Sequence, residues 1–164
     1  MNKNLELGYV KQEEMEALNT FELPEEQLQF TSLPQKYERE EEGQHRIVIR
    51  KNGKPVGFLL LYTSDFIYSC TDNPRALLLK ALSINRQEQG KGYAGKAMEQ
   101  LKTFAAETFP GRNEIVLTVN RRNTAAQRLY EKAGFHDTGR RKMGPAGEQY
   151  VMSLSLEIKQ PKSN

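Results

Sequence analysis

Tryptophan is missing from this 164-residue chain, and cysteine occurs once, at Cys70. A lone cysteine cannot build a disulfide framework, which needs pairs. No neighbouring base marks Cys70 as a nucleophile either, so it reads as a structural thiol. Histidine is scarce. His45 and His136 stand far apart without metal-ligand companions, and no metal site is expected. No apolar run approaches the roughly 20 residues needed to span a bilayer, and the opening MNKNLELGYV has no apolar signal core. These absences lead to the expectation of a cytoplasmic protein without a membrane segment. What is present, 37% hydrophobic and 27% charged residues, suits a globular chain with a real core. One domain over residues 1–164 is expected, with a frayed tail at 159–164.

The net charge of +3 is unevenly spread. Residues 1–44 hold 4 basic and 11 acidic side chains, a net of −7, and the remainder holds 20 basic and 10 acidic, a net of +10. Solvated helix faces explain such a pattern. So does an anionic ligand on the later part together with a cationic one near the acidic third.

The most informative stretch is Ala76 to Lys96, ALLLKALSINRQEQGKGYAGK. Its first half is a nearly continuous apolar run, as in a central strand covered on both faces. Five polar residues follow, and then Gly90, Gly92 and Gly95 fall within six positions, directly before a helix-periodic run. A strand, a glycine loop and a helix N-terminus make an anion site. The first helical N–H groups have no partner in the helix, and the macrodipole favours negative charge there.

Elsewhere the pattern predicts a strand at Leu5–Val10, a helix from Lys11 to Phe21, and a second helix with Pro24 as its first residue. Strands follow at His45–Arg50 and Pro55–Tyr62, joined by a tight Asn52-Gly53 hairpin. Thr63 to Arg75 is a polar loop. The glycine-loop helix runs to about Thr108. A strand at Glu114–Val119 precedes a helix capped by Asn123 or Thr124 and closed at Gly134. Strands near Phe135–Met143 and Gln149–Ile158 end the chain. The order β, α, α, β, β, β, α, β, α, β, β implies an α/β (α+β) fold: a mixed, mostly antiparallel central sheet with helices on both faces.

Gly90-Lys91-Gly92-Tyr93-Ala94-Gly95 fits G-x-G-x-x-G, the dinucleotide fingerprint. The context is poor, because five polar residues separate it from its strand and the next strand ends in Asn120-Arg121-Arg122, where an acid should hold the ribose. Gln89-Gly90-Lys91-Gly92-Tyr93-Ala94 also fits Q/R-x-x-G-x-G/A. Further on, Asn123-Thr124-Ala125-Ala126-Gln127-Arg128-Leu129-Tyr130-Glu131-Lys132-Ala133-Gly134-Phe135 fits N-x-x-A-x-x-L-Y-x-x-x-G-F. This pair, in this order and with these elements between, closely resembles the GNAT superfamily of N-acetyltransferases.

The resemblance covers about residues 45–157 and implies roles. A bulge would splay the strand ending at Ile84, leaving backbone groups near Leu82 and Ile84 for the pantetheine arm of acetyl-CoA. The loop of Gln89, Gly90, Lys91, Gly92, Tyr93, Ala94 and Gly95 would hold the pyrophosphate, mainly through backbone N–H. Asn123 would contact the cofactor arm, and Tyr130 would sit by the thioester sulfur as proton donor. Direct transfer to an amine needs a neutral nucleophile and a stabilised leaving thiolate, but no activated cysteine. Asp65, Asp72, the Glu38–Glu42 group or a water relay are the choices for a base.

The acceptor expected is a primary amine of a cationic small molecule or peptide, because the resemblance implies that the acidic third would lie near the acceptor side. The basic groups Arg121-Arg122 and Arg140-Arg141-Lys142 lack interleaved aromatics, and nucleic acid is not expected as a partner. Edge strands near the C-terminus leave a homodimer open. The alternatives are a CoA-binding regulatory module without turnover and a nicotinamide-dinucleotide domain.

Overall fold

A computed structural model describes residues 5–157. The tail expected at 159–164, and Ile158 at the end of the last expected strand, lie outside the described residues. Seven strands form one sheet: β1 (Leu5–Tyr9), β2 (Gln44–Lys51), β3 (Lys54–Tyr62), β4 (Ala76–Ile84), β5 (Glu114–Asn120), β6 (His136–Gly144) and β7 (Gly147–Ser155). Their order across the sheet is β1-β2-β3-β4-β5-β7-β6. Every neighbouring pair is antiparallel except β4 and β5. The helices are α1 (Met15–Leu18), α2 (Glu25–Leu28), α3 (Tyr93–Thr108) and α4 (Thr124–Lys132). No helix among the described residues is long and apolar enough to cross a membrane.

The sheet is covered on both faces because its middle strands are apolar on both. Ile47, Ile49, Leu59, Leu61, Leu77 and Leu79 join Met98 and Leu101 of α3 in one core. The alternate residues Val48, Phe58, Leu60 and Leu78 pack against Leu18, Phe21 and Ile67 on the other side. That period of two, filled on both faces, is what the continuous run in β4 encodes. The hairpin between β2 and β3 turns at Asn52 and Gly53, both with positive φ, as expected of a tight two-residue loop.

The N-terminal segment differs from the expectation. In place of one helix from Lys11 to Phe21 there is a 3₁₀ turn at Gln12–Glu14 followed by the single-turn α1. Pro24 stands before α2 as its extended cap residue, not as its first helical residue. Helices this short have no stability of their own. They persist through tertiary anchors: Leu18 and Phe21 are sunk in the core, and Glu14 grips Arg50 of β2 with both carboxylate oxygens, at 2.6 and 2.8 Å. The same Arg50 donates to the Tyr9 carbonyl at 2.8 Å, tying this segment to β1. The loop expected from Thr63 to Arg75 contains a 3₁₀ turn at Asp65–Ser69.

The feature that makes a site is the failure of β4 and β5 to stay paired. They match only at Ala76↔Glu114, Leu77↔Ile115 and Leu78↔Val116. Beyond that, β4 bulges. Leu60 pairs Lys80 and Phe58 pairs Ser83, so Ala81 and Leu82 together face Leu59, and Ala81 has φ +58°. A left-handed alanine costs about 1–2 kcal/mol, and a bulge bends its strand away from its neighbour.

On the far side of the bulge, Gly57 of β3 sits opposite Ile84. A Cβ there would lie 2.7 Å from Ile84 Cδ1 and 2.9 Å from the Ser83 carbonyl oxygen. The backbone atom cannot yield. Gly57→Ala is therefore expected to lower stability by about 1–3 kcal/mol, read as a lower midpoint in urea. An unchanged midpoint would show that the bulge relaxes freely.

Candidate active site

Where β4 and β5 part, a cleft of about 870 Å³ opens. One wall is the end of β4, Leu79 to Ile84, and the other includes Thr118 to Asn120 of β5 and the face of α4 bearing Ala126, Leu129 and Tyr130. Leu82, Ile84, Gln89, Gly90, Gly92, Tyr93, Ala94, Gly95, Asn123 and Tyr130 all line this cleft. Lys91 does not. It is turned to Glu88, with Nζ 3.1 Å from Oε2.

The floor at the α3 end is an array of unused donors. No backbone N–H from Gly90 through Gly95 donates to a protein acceptor among the described residues. Gly90 and Gly92 both have φ +80°, and a Cβ on either, or on Gly95, would meet nothing within 4 Å. The glycines at 90 and 92 are thus required by backbone conformation, while the space above them is open. Positive φ at two residues and unpaired amides at a 16-residue helix opening form an anion-binding concavity.

Glu88 lies just behind this loop and is nearly buried. Hydrogen bonding from Lys91 holds its carboxyl below the usual range, against the cost of burial and with help from Lys54. Its negative charge is therefore neutralised by two lysines rather than turned on an incoming anion.

Gln89 has a different job from the loop that follows it. Its N–H donates to the Arg86 carbonyl at 3.3 Å. Its side-chain amide donates to the Ile84 carbonyl at 2.9 Å and exchanges hydrogen bonds with Gln27 of α2 at 3.0 and 3.2 Å. Gln89 fastens the loop to β4 and α2. The backbone groups expected to be free near Leu82 and Ile84 are in part taken. Thr31 Oγ1 donates to the Leu82 carbonyl at 3.1 Å, and Gln89 occupies the Ile84 carbonyl. The Leu82 carbonyl takes its donor from the crossing segment and the Ile84 carbonyl from the loop that follows β4, so neither acceptor is left unpaired.

Tyr130 is placed by the frame of α4. Asn123 caps the helix by accepting the Ala126 N–H at 3.3 Å, and Gly134 follows the last turn with φ +105°. Phe135 returns against Tyr130 edge-on, with ring centroids 5.6 Å apart. The phenol is 9% exposed, and its hydroxyl makes no hydrogen bond among the described residues. Burial pushes its pKa well above the ordinary tyrosine range, so it stays protonated at neutral pH.

The model of the Acetyltransferase (GNAT) family matches residues 12–135. The chain belongs to the GNAT acetyltransferase family. As a GNAT acetyltransferase the enzyme takes its acetyl group from acetyl-CoA. The uncharacterized N-acetyltransferase YbbJ of Bacillus subtilis (strain 168) is 41% identical over 156 residues, covering 93% of this chain and 98% of that protein. Solved structures share the GNAT fold. The aminoglycoside acetyltransferase AAC(6')-Ib in complex with coenzyme A is 20% identical, with TM-score 0.71 over 92% of this chain and 94% of that one. The spermidine N-acetyltransferase from Vibrio cholerae with CoA and spermine is 19% identical, with TM-score 0.71 over 94% and 97%.

Several residues of this GNAT site carried no sequence signal. The wall opposite α4 includes Gln27, Phe30, Thr31 and Tyr37, from the second expected helix and the segment after it. Lys80 and Ser83 of β4 also line the cleft. Lys80 did leave a trace, as the one charged residue inside an apolar strand. None of the acids weighed as a base, Asp65, Asp72 or Glu38–Glu42, lines it. Glu40 is instead paired with Arg46 at 3.0 Å, and Glu40 and Glu41 border a separate recess beside Tyr9 and His45.

Proposed function

We propose that this enzyme moves the acetyl group of acetyl-CoA directly to the primary amine of a small molecule or peptide. The single observation behind this reading is that the unpaired amides of Gly90–Gly95 and the buried phenol of Tyr130 share the cleft opened by the β4 bulge. The amides take the diphosphate, and the parted strands take the pantetheine arm. Asn123, at the lip, remains both cap and contact. The same fold holds CoA with kanamycin in one neighbour and with spermine in another, which supports an amine acceptor. The single buried thiol of Cys70 fits a cytoplasmic setting.

In the reaction the amine lone pair attacks the thioester carbonyl carbon. The C–N bond forms, the C–S bond breaks, and the electron pair leaves on sulfur. The ammonium proton passes to water, and the thiolate regains a proton from solvent. Tyr130 stabilises the departing sulfur by donating a hydrogen bond. A thiol titrates near 8.5, well below this buried phenol, so complete proton transfer from Tyr130 would run uphill. A preorganised donor in a dry site still stabilises developing charge.

Of the eleven acids in residues 1–44 on which the charge argument for a cationic acceptor rested, Glu26 alone lines the cleft, so that argument carries little weight here. A thiol-release assay over polyamines, amino acids and peptides tests the function. Acetylation of at least one primary amine, dependent on acetyl-CoA, is the expected result. The rival reading, a CoA-binding module without turnover, predicts tight CoA binding and no thiol release with any of them.

A further inference from the structure

Two lysines line the part of the cleft that the acetyl-CoA elements leave over, and a third lies near one of them. Lys80 lies on β4 just before the bulge, on the side of the sheet shared with Leu78 and with α1. Lys36 lies on the 3₁₀ turn Pro34–Tyr37, and both line the cleft. Lys142 of β6 is close enough, with Lys36, to act electrostatically on Lys80. Lys80 is held in place by the ring of Phe66, with Nζ 4.9 Å from its centroid. Among the described residues none of the three makes an ion pair or a side-chain hydrogen bond, unlike Lys54 and Lys91 at the other end of the cleft. The carboxylates that do line the cleft are Glu26 and Glu88, and Glu88 is already committed to two lysines. Beyond the bulge, Ser83 is 4% exposed, lines the same cleft, and its Oγ has no partner.

We propose that the acceptor amine carries an anionic group, a carboxylate as in an amino acid, which is bound by Lys80 and Lys36 with Ser83 beside them. This rests on the acetyltransferase reading of the same cleft and names its substrate class. Lys36 and Lys80 are both exposed at the cleft, and a ligand carboxylate there would gain charge-assisted hydrogen bonds from them. Desolvation, reinforced by Lys142 and Lys36 and opposed by Cys70, already holds the Lys80 pKa below the ordinary lysine value. The same positive cluster repels a polyamine. It also lowers the pKa of the acceptor's own ammonium, which favours the neutral nucleophile.

The test uses matched primary amines: L-amino acids, their amides, aminoalkyl phosphates of similar length, and diamines. Each is assayed for acetylation and titrated calorimetrically into the CoA-bound protein. The acids are expected to exceed the amides by about tenfold or more in kcat/KM and in affinity. The preference should fall to near unity in Lys36→Gln/Lys80→Gln, with CoA affinity unchanged. Equal treatment of acid and amide, preference for diamines, or a preference that survives the double variant overturns the assignment. Preference for the phosphates, lost in the double variant, keeps the anion site and replaces the carboxylate. Acetylation confined to uncharged or cationic amines would sink the anion site while leaving the acetyltransferase intact. If acetyl-CoA binds and no amine is acetylated, the enzymatic reading fails, and the calorimetric ratio still decides the anion question.

Discussion

Replacing Tyr130 by phenylalanine is expected to lower kcat by about 10²–10³, the loss associated with one preorganised donor to developing charge. The affinity for acetyl-CoA should change by less than about threefold, since an interaction made only in the transition state leaves ground-state binding alone. The substitution keeps the ring and its edge contact with Phe135, so the fold should hold. Single-turnover kinetics with thiol detection reads the rate, and calorimetry with CoA reads the binding. The pH profile adds a separate readout. Because burial raises the phenol's pKa, no limb of the wild-type profile near neutrality belongs to Tyr130, and the variant should keep the wild-type shape at lower height. A variant with normal kcat would remove Tyr130 from the chemistry and leave it as a packed aromatic of α4.

The second large effect concerns the anion loop. Gly92→Val is expected to weaken acetyl-CoA by about 10²-fold. Gly92 has φ +80° and precedes α3 as its cap residue. A β-branched residue resists that conformation, at a cost of about 1–2 kcal/mol, and relieves it by turning the neighbouring amides away. Losing two N–H contacts to a charged oxygen at about 1.5 kcal/mol each accounts for the factor. Nothing lies within 4 Å of the added Cβ, so the defect is one of backbone and ligand, not of packing.

The control is acetyl-pantetheine, which has the thioester but no diphosphate. Its kcat/KM should be nearly the same in wild type and variant. An equal loss with both thioesters would mean that the loop shapes the cleft without touching the diphosphate.

The pair of effects separates two roles that the chain builds from different parts. In the proposed reading the loop would control a ground-state contact with one end of the cosubstrate, and α4 a transition-state contact at the other. Their independence is itself measurable, because the double variant should show the two losses multiplied.

What the residues declared in advance follows from local physics. The apolar run of β4, the positive-φ glycines at 90 and 92, the stripe of α3 and the cap at Asn123 each act over a few residues, so period and backbone preference suffice to read them. They point to the anion loop without knowledge of the fold, whereas Tyr130 is singled out only by the resemblance of its flanking motif. The failures cluster where the chain contacts itself at long range. Gln89 reads as part of a phosphate loop, yet Gln27, 62 residues away, claims its side chain. The segment from Lys11 to Phe21 has helix periodicity, yet its persistence as short turns depends on Arg50 and the core.

The acceptor side shows the division most clearly. Net charge along the chain suggested an acidic wall. Folding turns Glu40 to Arg46 and brings Lys36 and Lys80 to the cleft. Sequence fixes which groups exist and which local shapes they adopt. Only the tertiary packing decides which charges face one another, because an unpaired carbonyl or carboxylate takes the nearest donor in space, whatever its distance along the chain.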